Sequence, residues 1–101
     1  MLTEQDIRRM ASEELANKFN RLLDNGKNVL IRVNYIGEHK DVYVLQDSSG
    51  NYVIKSGELP IRCTDVYMTA YDYTVRLNAD IGNVHAIYHT MVTEDVQLIT
   101  Y

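Results

Sequence analysis

Along the first quarter of the chain, apolar residues fall at Ile7, Met10, Ala11, Leu15, Ala16, Phe19, Leu22 and Leu23. That spacing of three and four is the stripe of a helix with one buried face. Thr3, followed three residues later by Asp6, has the form of a capping box. Glu4 and Asp6 in the first turn, with Lys18 and Arg21 near the end, complement the helix dipole. Asn25-Gly26 supplies a left-handed stop. The pattern predicts a helix within residues 1–26.

From Lys27 onward the period falls to two, the mark of strands. Val29, Ile31, Val33 and Tyr35 alternate with Leu30, Arg32, Asn34 and Ile36. After a polar connection over 37–40, residues 41–46 and 51–55 read as a hairpin closed by Asp47-Ser48-Ser49-Gly50. Ser56 to Pro60 is a loop. Residues 64–77, Thr-Asp-Val-Tyr-Met-Thr-Ala-Tyr-Asp-Tyr-Thr-Val-Arg-Leu, read as one strand. It places Tyr67, Thr69, Tyr71, Tyr73, Val75 and Leu77 on one face, with Asp72 and Arg76 on the other. Residues 84–92 read as a strand in preference to a helix, which would carry Gly82 and several β-branched residues in its interior. Val96 to Tyr101 is the final strand, with Val96 and Leu98 facing one way.

The expected fold is α+β: one N-terminal helix packed on a curved antiparallel sheet of five to six strands, a small barrel or half-barrel. A single domain covers residues 1–101, with the helix in 1–26 and the sheet in 27–101. One helix covers about half of such a sheet face. Several strands are apolar or aromatic on both sides, so a second copy of the chain is expected over part of the sheet.

Composition narrows the chemistry. With 101 residues, 46% hydrophobic and 24% charged, the chain sits at globular averages and has room for one core. The longest apolar run, Val29-Leu30-Ile31, is far short of the roughly 20 residues that span a bilayer. Acidic residues stand where a signal peptide would carry basic ones, which points to the cytoplasm. A net charge of −4 disfavours broad binding to nucleic-acid phosphates. Among the basic residues, Arg8, Arg9, Lys18 and Arg21 are interleaved with Glu13 and Glu14, as in a solvated helix face with ion pairs such as Glu14 to Lys18.

No cofactor or metal is expected. His85 and His89 have a metal-binding spacing on a helix, but on a strand their Cα atoms lie about 13 Å apart, too far for one ion. Cys63 is the lone cysteine, more in keeping with a small buried hydrophobe than a nucleophile. A small enzyme using Cys63 with His85 or His89 is the third choice among functions, because nothing places a base or an oxyanion donor beside the thiol.

Tyr67, Tyr71 and Tyr73 are the candidate binding residues, since tyrosine joins a large apolar ring to a hydroxyl and is enriched at interfaces. The chain is expected to be a small non-catalytic cytoplasmic protein that inhibits or regulates a macromolecular partner, a protein, and that self-associates. Phage and mobile-element accessory proteins are commonly of this kind. The alternative is a homo-oligomer that binds or sequesters a small nucleotide-like ligand.

Overall fold

A computed structural model describes residues 1–56, 60–69, 74–79, 84–88 and 95–101. Among these residues the elements are one helix, α1 (Glu4–Asp24), and seven strands: β1 (Val29–Tyr35), β2 (Glu38–Gln46), β3 (Tyr52–Lys55), β4 (Pro60–Met68), β5 (Val75–Ala79), β6 (Val84–Tyr88) and β7 (Asp95–Thr100). They form an open antiparallel sheet in the order β6-β5-β4-β3-β2-β1-β7, with β6 and β7 at its edges. The α+β class is as the periodicity predicts. No helix among the described residues is long and apolar enough to cross a membrane.

The helix is delimited at both ends by its own sequence. The Thr3 hydroxyl accepts from the Asp6 N–H, and the Asp6 carboxylate accepts from the Thr3 N–H, both at 3.1 Å. At the other end the Gly26 N–H reaches the Leu23 carbonyl and the Lys27 N–H the Leu22 carbonyl, at 2.9 and 3.0 Å. This is the double bond of a Schellman stop, and Gly26 takes the φ of 74° that it requires.

The buried stripe of α1 is narrower than the apolar pattern suggests. It consists of Ser12, Ala16, Phe19 and Leu23, with Leu15 and Leu22 half-buried beside it. At about 100° per residue, Ile7 and Met10 lie roughly 150° from the centre of that stripe, and they are 56% and 52% exposed. Ala11 is exposed as well. The buried face of α1 therefore runs from Ser12 to Leu23. The intrahelical ion pair that forms is Arg8 with Glu4, at 2.7 Å, and among the described residues Glu14 and Lys18 do not pair.

The inner sheet face, turned to α1, carries Val29, Ile31 and Val33 from β1, Val42 and Val44 from β2, Ile54 from β3, Cys63, Val66 and Met68 from β4, and Val75 and Leu77 from β5. Fully burying each large apolar side chain is worth about 1.5–3 kcal/mol, so this face, with Ala16, Phe19 and Leu23 of α1, supplies the core. Two turns set the register of β1 to β3. A two-residue connection with Gly37 at φ 82° pairs Tyr35 with Glu38, which starts β2 three residues earlier than the polar run over 37–40 suggests. Asp47 then accepts from the N–H groups of Ser49 and Asn51, each at 2.9 Å, as its turn chemistry predicts.

The largest correction concerns residues 64–77, which are two strands rather than one. The chain reverses between Met68 and Val75, and the Thr69 N–H meets the Thr74 carbonyl at 2.8 Å. This division makes the sheet seven-stranded instead of five- or six-stranded. Residues 84–88 form a strand, as preferred over a helix; 89–92 lie outside the described residues.

Candidate functional site

A β-bulge decides which way Tyr67 faces. Cys63 pairs with Ala79 and Asp65 with Asn78, so Thr64 is an extra residue on β4. Before the bulge the odd-numbered Cys63 points into the core; after it the even-numbered Val66 and Met68 do. Tyr67 is thereby turned to the outer face, where it is 42% exposed. Its partner across the β4–β5 pair is Arg76, also exposed. Val75 and Leu77, expected beside Tyr67, are on the inner face, and Arg76, expected opposite it, is its neighbour. Tyr71, Tyr73 and Asp72 lie outside the described residues.

The remaining sequence candidates are not drawn into one site. Cys63 is 1% exposed among core residues, with its thiol donating to the Ile61 carbonyl at 3.4 Å. The backbone of His85 on β6 pairs with that of Leu77 on β5, so residue 85 lies in a strand; His89 is outside the described residues. Among the described residues, no three His, Cys, Asp or Glu side chains are placed to share a metal ion.

The outer face is graded in polarity along the strands. At one end Arg32 on β1 donates to both carboxylate oxygens of Asp41 on β2, at 3.0 and 3.1 Å. His39 Nε2 lies 3.6 Å from the same carboxylate, and the Asn34 amide donates to Gln97 at 3.4 Å. The hydrogen bonds from Arg32 hold the Asp41 carboxyl below its ordinary range, against the opposing effect of burial.

One step along the strands the surface becomes apolar. Leu30 has Tyr43 and Ile99 as its cross-strand neighbours and is 5% exposed, although it points away from the helix. The Tyr43 and Tyr101 rings meet edge to face at 6.0 Å and 84°. Tyr101 reaches this position because its N–H continues the β1–β7 ladder to the Asn28 carbonyl at 3.2 Å. Among the described residues Tyr43, Leu45, Lys55 and Tyr101 line a hollow of about 420 Å³. Partial burial, and next the charge of the neighbouring Tyr43 hydroxyl, push the Tyr101 hydroxyl up from its ordinary pKa.

Sequence reasoning missed this cluster. The signal lay in the parity of β2, where Tyr43 and Leu45 alternate with the core residues Val42 and Val44. Tyr101 joins them only because β7 pairs with β1, which no local pattern announces. Fold and site together define an α+β protein with an open sheet and a tyrosine-bearing outer face. Set against family models, curated proteins and solved structures, the chain matches none.

Proposed function

We propose that this chain is a small non-catalytic binding protein that regulates a protein partner through the outer face of its sheet. The observation that carries the reading is the pairing of Tyr67 with Arg76 on adjacent strands, both exposed and both facing away from α1. Tyrosine and arginine are the residue types that most often dominate protein interfaces. Arg62 is exposed on the same strand as Tyr67, before the bulge, and β4 and β5 hold the tyrosine and arginine on a hydrogen-bonded pair rather than a loop. Inhibition follows if the partner's own working surface is what the patch covers.

The test is capture. Immobilised wild-type protein is expected to retain a specific protein from cells of its source, and the Tyr67→Ala, Arg76→Ala variant is expected to lose it while melting at the wild-type temperature. Retention by both forms, or no specific retention by the wild type, contradicts the proposal. Light scattering on the same samples reads self-association, which is expected to fall in the variant if the partner is a second copy.

A further inference from the structure

Lys55 stands directly across from Tyr43 on the outer face, at the hollow that Tyr43, Leu45 and Tyr101 also line. It is exposed, and among the described residues it makes no ion pair, whereas Arg32 on the same face is fully engaged by Asp41. An unmatched cation thus borders two aromatic rings and an apolar side chain.

We propose that this hollow binds a small planar aromatic anion of nucleoside-monophosphate size, its ring against the tyrosines and its charged group on Lys55. The volume of about 420 Å³ falls within the roughly 300–1,000 Å³ of small-molecule sites. An edge-to-face pair engages one face of one ring and leaves the other faces open to stacking. Sequence-tolerant stacking of this type is how proteins hold nucleobases. A lysine ammonium suits one anionic group as a point charge. The Tyr101 hydroxyl adds a donor for a ligand oxygen.

Charge selects a small ligand over a strand of nucleic acid. A protein of net charge −4 repels a polyanion, while a single lysine can pair with a single phosphate group. Neither Tyr67 nor Arg76 lines the hollow among the described residues, so this site stands apart from the partner surface and the two proposals can fail separately.

Calorimetric titration of the purified chain with adenosine monophosphate, uridine monophosphate, adenosine and inorganic phosphate tests it, alongside thermal melting. Both monophosphates are expected to bind saturably and to raise the melting temperature, as any ligand selective for the native state does. Adenosine should bind about tenfold or more weakly, the loss of roughly 1.4 kcal/mol, and phosphate alone not measurably. Lys55→Gln should reduce the monophosphates to the affinity of adenosine. Tyr101→Phe should retain most binding and Tyr101→Leu lose it, while Tyr67→Ala leaves it unchanged. Lys55 is exposed, so its substitution reads the site even if a tyrosine variant unfolds. The proposal is overturned if none of the four compounds binds saturably, if adenosine equals its monophosphate, or if Lys55→Gln binds as the wild type does.

Discussion

The Asn20 side chain of α1 makes with Met68 of β4 both hydrogen bonds that a neighbouring strand would make: its amide donates to the Met68 carbonyl at 3.1 Å, and its oxygen accepts from the Met68 N–H at 2.9 Å. Among the described residues β3 pairs with β4 only over residues 60–63, and the far end of β4 has no strand on that side. Asn20 satisfies the backbone there and ties the helix to the sheet.

Replacing Asn20 with leucine removes two hydrogen bonds worth about 0.5–1.5 kcal/mol each and strands a partly buried N–H. A loss of about 2–3 kcal/mol is expected in chemical denaturation, a large fraction of the roughly 5–15 kcal/mol of a typical domain. Asn20→Asp provides the discriminating control. Its carboxylate would face the Met68 carbonyl, whereas the protonated acid can donate and accept as asparagine does. The folded state therefore raises this carboxyl's pKa, and the stability it offers is present at low pH and lost as pH rises through the folded value. Asn20→Asp should approach the wild type in acid and fall behind at neutral pH; a pH-independent deficit would show that the two bonds do not govern this contact.

Ser12 gives a prediction of the opposite sign. It is fully buried in the α1 stripe, and among the described residues its hydroxyl has no hydrogen-bond partner. A buried, unpaired hydroxyl costs on the order of 1–3 kcal/mol, and alanine is the better helix former. Ser12→Ala should raise the melting temperature by several degrees, about 1 kcal/mol for a domain of this size. A lower melting temperature would mean that the hydroxyl is satisfied in solution.

Arg32 and Asp41 make stability depend on pH in acid. The carboxyl is held below its ordinary value of 3.8, chiefly by the Arg32 hydrogen bonds. A lowered folded pKa contributes stability above the unfolded value and loses it as pH falls through the folded one. Asp41→Asn should therefore melt below the wild type at neutral pH, with the gap closing as pH falls below 3.8. High salt should narrow the gap as well, because both groups remain partly exposed. A gap that persists unchanged in acid would assign the effect to packing instead.

The parts of the fold legible in the sequence are those whose signals are local. Thr3, Asp6 and Gly26 act at their own helix ends, and Gly50 and Asp47 at their own turn. The β4–β5 reversal was hidden because the residues between Thr69 and Thr74, Ala-Tyr-Asp-Tyr, include neither glycine nor proline. The bulge at Thr64 was hidden for a different reason: an extra residue changes the parity of every position after it, and nothing in Cys-Thr-Asp marks which residue is extra. Of the candidate site, alternation along the strand picks out Tyr67 but not its true neighbour Arg76. Tyr43 and Tyr101 are 58 positions apart (101 minus 43) and meet only through the β1–β7 ladder. Long-range pairing of this type is a property of topology that single-chain periodicity does not carry.

The proposed partner surface centres on the outward-facing Tyr67. The direct measurement is the affinity of the captured partner, purified, for wild-type protein and for Tyr67→Ala, with Lys40→Ala as an exposed control on β2. A central interface tyrosine is worth about 2 kcal/mol or more on truncation, about thirtyfold in affinity. Tyr67→Ala is predicted to bind at least that much more weakly at an unchanged melting temperature, and Lys40→Ala to bind normally. Binding by Tyr67→Ala within about twofold of the wild type would contradict the claim that the Tyr67–Arg76 patch is the partner surface.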